Sequence, residues 1–276
     1  MLTPISYNNY QPTFQANLNS PTLKFKREDF YIKIRGYGRN VSWADKIIET
    51  ADQAVKHIRK TLPFEFVIKH IMLGVKDANR YPLDVDRRVR TGVLRTEREG
   101  WISSTDWRDF NLTTHYDTPA YQRYRSYEDR FDKTYEIPLT NPYEDISLTI
   151  PVHKDGRKYL RHGKNDYINN AFKHIDTLYK SILEQFVGKD VQEKDLKMIN
   201  ETIAEIRWIL AHSTPWERGS DAISNVFMKA IYKALGVKSY EPAKNVSFDL
   251  EAYCTELKDY KKNFETYFTQ APTIAK

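Results

Sequence analysis

The chain has 276 residues, of which 40% are hydrophobic and 13% aromatic, with 43 Lys and Arg against 37 Asp and Glu. This length and composition exclude a disordered chain and suffice for one large or two small domains with a buried core. No apolar run approaches the roughly 20 residues that span a bilayer, so no transmembrane segment is predicted. The net charge of +6 suits phosphate-bearing ligands but falls short of the charge typical of nucleic-acid-binding domains.

The cysteine content and the first residues of the chain limit where the protein can be located. Cys254 is the single cysteine, which excludes an intrachain disulfide and a cysteine-based zinc site and fits a reducing environment. The chain opens without a basic start followed by an apolar stretch, so no cleaved signal peptide is predicted. Met1 is followed by Leu2, so the glycine that myristoylation requires is missing.

Residues 1–22 are rich in Asn, Gln, Pro and Ser and show no hydrophobic period. We interpret them as a flexible leader. In a bacterial protein such a leader fits a type III secretion signal, although an ordinary frayed terminus explains the same composition.

The next predicted elements are one strand and two helices. Residues 30–37 have the composition of a strand and include two glycines near their end. Ser42 is the expected N-cap of a helix that Pro63 stops, and residues 64–73 predict a second short helix that ends at Gly74. The apolar side of the first helix comprises Ile47, Ile48, Ala51, Val55, Ile58 and Leu62.

Residues 80–160 are crowded with Arg, Asp, Tyr and Pro, and short pieces such as residues 93–94 and 146–152 predict strands. Asp84-Val85-Asp86 has the Asp-x-Asp spacing with which many glycosyltransferases hold a divalent metal on a sugar diphosphate. In this charge-mixed loop we favour a solvated turn and predict no metal site. The arginines in this stretch could attract nucleic acid. The acidic residues among them instead favour a surface of mixed charge or a role at the rim of a phosphate-binding site, so no nucleic-acid partner is predicted. They are Arg80, Arg87, Arg88, Arg90, Arg95 and Arg98.

Four periodic helices are predicted after residue 165. Asp166 is the expected cap of a helix over residues 168–186, with Gly188 just past its end. A second helix covers residues 196–210, and a third runs from Ser220 to the residue before Gly236. A fourth covers residues 247–268. Because these helices outnumber the weak strands, the fold class is predicted as mainly α (α+β).

The loop between the second and third of these helices carries the chemistry. Pro215 ends one helix, Gly219 permits a tight turn and Ser220 starts the next helix. The first amides of that helix have no intrahelical partner and lie at the positive end of its dipole. With the guanidinium of Arg218 beside them, they would form an anion site suited to a diphosphate. An ion pair of Arg218 with a carboxylate and a capping role for Ser220 explain the same residues.

This loop, TPWERGSDA from Thr214 to Ala222, resembles the Fic signature of His-Pro-Phe, two variable residues and Gly-Asn-Gly-Arg. Pro215, Trp216 and Gly219 match the signature. Thr214 stands in place of the catalytic histidine, and Ala222 in place of the final arginine. The loop therefore lacks the base that standard Fic adenylylation requires.

The same degenerate loop, including Arg218-Gly219-Ser220-x-Ala222, is similar to that of the AvrB family of secreted plant-pathogen effectors. The resemblance covers about residues 160–268, with an insertion near residues 188–192, whereas residues 1–155 match poorly. The further matching positions are Trp208, Ala230, Gly236, Asn245, Val246, Ser247 and Asp249, and upstream His162, Tyr167, His174, Leu178 and Tyr179.

The resemblance implies a bilobal protein with a Fido-like helical core and a second lobe that carries short strands. We accordingly expect one Fido-like domain over residues 23–276, with an inserted variable lobe at about residues 75–160. It also implies secretion into a host cell in the type III manner, location in the host cytoplasm and a host immune regulator as the protein partner.

The activity that the resemblance implies is that of a glycosyltransferase, which moves a rhamnose-like sugar from dTDP- or UDP-rhamnose to a Ser or Thr hydroxyl of a host protein. No other cofactor is expected, and an ADP-like nucleotide would fit the same pocket. Arg218 would contact the donor diphosphate, and Asp249 would orient or deprotonate a hydroxyl. The residues that would complete the nucleotide and sugar pocket are Thr91, His162, Gly219 and Ser220.

Two other functions remain open from the sequence. Loss of the Fic histidine also fits a pseudoenzyme that binds nucleotide, or nothing, and acts by docking to a host regulator. Nucleotidyl transfer would require His212 as a displaced base, although a helix-end histidine that satisfies carbonyl groups explains it as well. His162 also fits an exposed loop histidine, and Asp249 a carboxylate stabilised by a helix dipole.

Overall fold

A computed structural model describes residues 23–34, 39–79, 90–97, 104–106, 118–128, 134–154 and 157–275. The leader and the Asp84–Asp86 motif lie outside these ranges. The described chain is mainly helical with some short strands, which confirms the predicted fold class. Its helices are α1 (Val41–Arg59), α2 (Phe64–Ala78), α3 (Pro119–Glu128), α4 (Ile168–Phe186), α5 (Leu196–Ser213), α6 (Ser220–Ala234), α7 (Phe248–Tyr253) and α8 (Leu257–Asn263).

The predicted strand over residues 30–37 is wrong for the residues that the structure describes. Arg27–Phe30 form a 3-10 turn, and residues 31–34 belong to no strand. The backbone amide of Lys26 donates to Asp29 at 2.7 Å, which stabilises the start of the turn. The buried ring of Phe30 packs edge-on against Phe25, 5.4 Å between centroids.

Helices α1 and α2 form an antiparallel pair whose contact explains two errors of prediction. Asn40, not Ser42, caps α1, because its side chain accepts a hydrogen bond from Trp43 N at 2.9 Å. Gly74 does not end α2, which continues to Ala78. A Cβ at Gly74 would lie 2.2 Å from Thr50 Oγ1 on α1, so this glycine permits the close approach of the two helices.

The described strands form two antiparallel sheets. Four strands in the order β1-β4-β3-β2 comprise β1 (Ser104–Asp106), β2 (Thr134–Glu136), β3 (Ile150–Lys154) and β4 (Arg157–Arg161). In this sheet Ile150 pairs with Arg161, which in turn pairs with Ser104. The strand predicted at residues 146–152 is observed as β3, which begins later in the chain, at Ile150. A second sheet pairs β5 (Val237–Lys238) with β6 (Thr273–Ile274).

The C-terminal helices follow the predicted periodicity, with two corrections. Asp166 does not cap α4 but lies in a 3-10 turn, Asn165–Tyr167, that precedes it. The predicted fourth helix is divided into α7, α8 and a 3-10 turn at Phe264–Tyr267. At the break, the Thr255 carbonyl accepts a hydrogen bond from Trp208 Nε1 at 3.1 Å, which is a tertiary contact that no local pattern encodes.

Most of the described buried apolar residues form one continuous cluster around α5 and α6. α3 contributes Tyr121 and Tyr124 to this cluster, and β4 contributes Leu160. The division into a core and an inserted lobe stays a prediction. None of the described helices is both long and apolar enough to cross a membrane. The loop that carries the predicted site connects α5 and α6, which both contribute to this cluster.

Candidate functional site

The loop between α5 and α6 is held in a tight, largely buried conformation. Thr214 ends α5 in the left-handed region at φ 40°, and Gly219 precedes α6 at φ 89°. The side chain of Trp216 is almost fully buried. Ser220 Oγ lies 3.3 Å from Trp216 O and 3.4 Å from Trp216 N, so this hydroxyl closes the loop on itself.

A distant segment, residues 91–95, forms backbone hydrogen bonds along this loop. Gly92 N donates to Arg218 O at 3.1 Å, Glu217 N donates to Val93 O at 2.9 Å, and Arg95 N donates to Pro215 O at 2.9 Å. Thr91 therefore lies beside Arg218, with which it forms an isolated parallel bridge. The structure thus brings Thr91, a predicted site residue, to the loop. The strand expected at residues 93–94 is not formed, and the segment instead makes two isolated bridges, Thr91 with Arg218 and Leu94 with Trp216.

Gly219 is required at the contact between this segment and the loop. Its positive φ favours glycine, and a Cβ there would lie 3.1 Å from Thr91 Cγ2. The neighbouring Glu217 carboxylate is buried and accepts hydrogen bonds from Arg90 N and Arg90 Nη2, each at 2.8 Å. Arg218 is exposed. The loop thus places an exposed arginine two residues before the first residue of α6, on a backbone that residues 91–95 hold by hydrogen bonds.

Arg95 is a site residue that sequence reasoning missed. Its side chain is 1% exposed, and its guanidinium donates to Ser213 O at 3.2 Å, Thr214 O at 3.1 Å and Gly163 O at 2.7 Å. Burial lowers the pKa of Arg95 to about 10, so the group stays charged at neutral pH. It neutralises the negative end of the α5 dipole and ties the segment, the loop and the turn before α4 together.

His162 adjoins the same network through Thr149. Thr149 Oγ1 donates to His212 O at 2.6 Å and lies 2.8 Å from Thr214 Oγ1 and 3.5 Å from His162 Nδ1. Burial, followed by the charge of Arg95, lowers the pKa of His162 to about 3. The imidazole is therefore neutral at physiological pH, which removes an added positive charge but leaves a ring able to donate and accept one hydrogen bond each.

His212 does not point into the site. Its side chain is fully buried, with Nδ1 2.9 Å from Thr149 O and Nε2 3.0 Å from Ala252 O. Burial lowers the pKa of this ring to about 4, and the two carbonyl contacts partly offset this effect. Both ring nitrogens face backbone oxygens, so His212 supports packing between α5 and α7 and is not a displaced catalytic base.

Asp249 lies in a charged cluster that includes Asp221 of the first turn of α6. The fully buried Arg207 donates through Nη2 to Asp249 Oδ1 at 3.0 Å and to Asp221 Oδ1 at 2.8 Å. Burial raises the pKa of Asp249 well above its ordinary value, and the charge of Asp221 raises it further, whereas Arg207 lowers it. Asp221 and Arg207 were not identified from the sequence, since their roles depend on a contact among three helices.

No group of three or more metal-ligating side chains that could hold an ion occurs in the described ranges. The predicted site residues instead surround one structural feature, the turn from α5 into α6. Thr91, Arg218, Gly219 and Ser220 form that turn or touch it, and His162 is linked to its start. Asp249 meets it through Arg207 and Asp221.

Comparison with known families identifies the region that carries this turn. The sequence profile of the AvrB_AvrC family, described as avirulence protein, matches residues 157–271. This part of the chain is similar to the AvrB family. No curated protein matches the chain. The family match confirms the resemblance on which the site residues were chosen. His162, Arg218 and Asp249 lie inside the AvrB region, whereas Thr91 and Arg95 lie outside it.

Proposed function

We propose that this AvrB-like protein binds a nucleotide-sugar at the turn from α5 into α6 and transfers the sugar to a Ser or Thr hydroxyl of a host protein. The observation that carries the proposal is the pairing of residues 91–95 with residues 215–218. This pairing gathers Thr91, Arg218 and Gly219 at the N-terminus of α6. The family match is consistent with secretion into a host and with a host protein as the target.

The charges of the site favour a diphosphate group. The exposed guanidinium of Arg218 is permanently positive and can donate two hydrogen bonds to one phosphate. The first amides of α6 add the positive end of a 15-residue helix.

The same groups suit a departing nucleoside diphosphate. In the proposed transfer, the bond between the sugar C1 and the diphosphate oxygen breaks, and its electron pair leaves with the diphosphate. The acceptor oxygen forms the new bond to C1, and its proton passes to a carboxylate. Arg218 would stabilise the charge that develops on the leaving group, which is the largest electrostatic requirement of such a reaction. Thr91 and His162 would hydrogen-bond the nucleotide or the sugar.

Adenylylation is less well supported by the site. Thr214 replaces the histidine of the Fic signature, and its hydroxyl contacts Ala211 O at 2.9 Å. His212, the other candidate base, has both ring nitrogens within 3.0 Å of backbone carbonyl oxygens. Transfer of no label from labelled ATP to any target would remove this alternative.

Transfer is tested by incubating the protein with dTDP- and UDP-sugars, rhamnose donors included, and host extract, followed by mass spectrometry of intact proteins and of peptides. We expect one protein to gain a single sugar on Ser or Thr, and Arg218→Ala to abolish this gain. Arg125→Ala removes another exposed arginine, on α3, and is expected to leave transfer unchanged. Absence of any modified protein with every donor would contradict the proposal.

A docking-only pseudoenzyme is the second candidate, because the loop has lost the Fic base. It predicts that the cellular effect follows partner binding alone. If Arg218→Ala abolished the cellular effect while partner pull-down stayed intact, docking alone would be insufficient. If the effect also stayed intact, the pseudoenzyme would be preferred.

A further inference from the structure

Two carboxylates from different helices share one nitrogen of a buried arginine. Arg207 on α5 is fully buried, and its Nη2 donates to Asp221 on α6 and to Asp249 on α7. Its Nη1 also donates to the backbone carbonyl of Asp221 at 3.3 Å. A single positive charge therefore faces two carboxyl groups, and the three helices meet at this point.

The two carboxyl groups differ in their access to solvent. The side chain of Asp221 is 27% exposed, and that of Asp249 is 9% exposed. Two carboxyl groups beside one cation ionise unequally, because the second negative charge is opposed by the first. The more deeply buried group loses more hydration when it ionises, so it keeps the proton longer. Burial accordingly raises the pKa of Asp249 well above its ordinary value, so Asp249 holds the proton.

Three further side chains face this pair, each from a different helix. Arg207 approaches from α5, Tyr253 from α7 and Tyr260 from α8. Burial raises the pKa of both tyrosines well above the ordinary value, so they stay neutral at physiological pH. The guanidinium of Arg207 can therefore balance one carboxylate, and the pair with one proton is electrically neutral.

We propose that Asp221, and not Asp249, is the carboxylate that contacts the acceptor hydroxyl, while Asp249 and Arg207 hold Asp221 in position. The inference rests on the proposed glycosyl transfer and names its base. Asp221 follows Arg218 by three residues and lies in the first turn of α6, so it stands on the same helix end as the diphosphate site.

The step is a simple proton transfer coupled to substitution. The acceptor O–H bond breaks and its proton passes to a carboxylate oxygen of Asp221. The acceptor oxygen bonds to the sugar C1 as the bond to the diphosphate breaks, and the nucleoside diphosphate leaves with the electron pair. Asp249 and Arg207 are positioning residues, because neither touches the reacting atoms.

The test compares the two isosteric variants Asp221→Asn and Asp249→Asn. An asparagine at position 249 mimics a protonated carboxyl group, whereas one at position 221 cannot accept the proton. Asp259→Asn is the matched control, since Asp259 is an exposed aspartate in the first turn of α8. The readout is release of nucleoside diphosphate from dTDP-rhamnose and UDP-rhamnose, with urea unfolding to verify the fold of each variant.

We expect Asp221→Asn to lower kcat by about 100-fold or more with little change in KM, as loss of a general base does. Asp249→Asn should stay within about 10-fold of the wild type, and Asp259→Asn should equal it. An active Asp221→Asn would overturn the inference alone. A wild type that releases no diphosphate from any nucleotide-sugar, with or without host extract, would overturn the proposed function and the inference with it.

Infrared difference spectra at neutral pH give a second readout that a merely structural role would not change. In the wild type the carbonyl stretch of one protonated carboxyl group should be visible, and it should disappear in both variants, because Arg207 then balances the single remaining carboxylate. A wild type without this band would hold two carboxylates beside Arg207 and would overturn the inference.

Discussion

Arg95→Met tests whether one buried cation holds the functional turn together. Methionine fills much of the same volume but removes the donors to Ser213 O, Thr214 O and Gly163 O. Each hydrogen bond from a charged donor contributes about 1.5–3 kcal/mol, so the three together contribute roughly 4–9 kcal/mol.

Part of that loss is offset, because the variant no longer buries a charge. Burial lowers the pKa of Arg95 from 12.5 to about 10, which corresponds to a penalty of about 3 kcal/mol for the charged form. The net decrease in the free energy of unfolding is therefore expected to be roughly 1–6 kcal/mol.

Urea unfolding followed by circular dichroism measures this change. Arg161→Met is the control, because Arg161 pairs with Glu136 on the surface, where both side chains are more than 40% exposed. The control is expected to lose less than about 1 kcal/mol. An Arg95→Met variant that lost no more than this control would refute the assignment of Arg95 as the tie between residues 91–95, the loop and the turn before α4.

Two further predictions concern Gly219 and His212. Gly219→Ala and Gly236→Ala both place alanine at positive φ, with a cost of about 1–2 kcal/mol each in urea unfolding. Only Gly219→Ala brings a Cβ to 3.1 Å from Thr91, so this variant should lose more stability and should also bind dTDP more weakly. Equal losses of stability in the two variants would contradict the contact between Gly219 and Thr91. For His212, burial lowers the pKa from 6.5 to about 4, so the unfolded chain binds the proton first as pH falls. The free energy of unfolding should fall by about 2 kcal/mol from this residue between pH 7 and 5. His212→Gln should show a dependence on pH that is flatter by that amount, and an unchanged slope would contradict a neutral buried ring.

Helices whose apolar residues recur at helical spacing could be predicted from the sequence. Four helices begin and end within a few residues of the predicted bounds, namely α1, α4, α5 and α6. Their bounds could be predicted because the signals are local: an amphipathic pattern, Pro63, and the glycines at 188, 219 and 236. The loop was identified for the same reason, since its turn residues lie within one short stretch of sequence.

The errors arose where a distant residue decides the local structure. Gly74 has the composition of a helix end, but its contact with Thr50 keeps it inside α2. The break after α7 depends on Trp208, which is 47 positions away from the carbonyl that it binds. Neither contact leaves a periodic or motif signal in the sequence.

The site was likewise predicted only in part. Arg218, Gly219 and Ser220 could be found because they are adjacent in the chain. Arg95 was seen only as one arginine of a basic stretch, and its contacts lie 68 to 119 positions away. Arg207 lies inside α5, where the apolar pattern accounts for the neighbouring residues but not for an arginine. Its contacts with two carboxylates could be identified only from the arrangement of α5, α6 and α7.

Binding of a nucleoside diphosphate to the purified protein tests the central claim most directly. Isothermal titration with dTDP and UDP should show saturable binding by the wild type. Arg218→Ala should bind at least about 10-fold more weakly, as expected for loss of a charged hydrogen bond, and Arg125→Ala should bind as the wild type does. Equal affinity of Arg218→Ala and the wild type, or no binding of either nucleotide by the wild type, would contradict a diphosphate site at this turn.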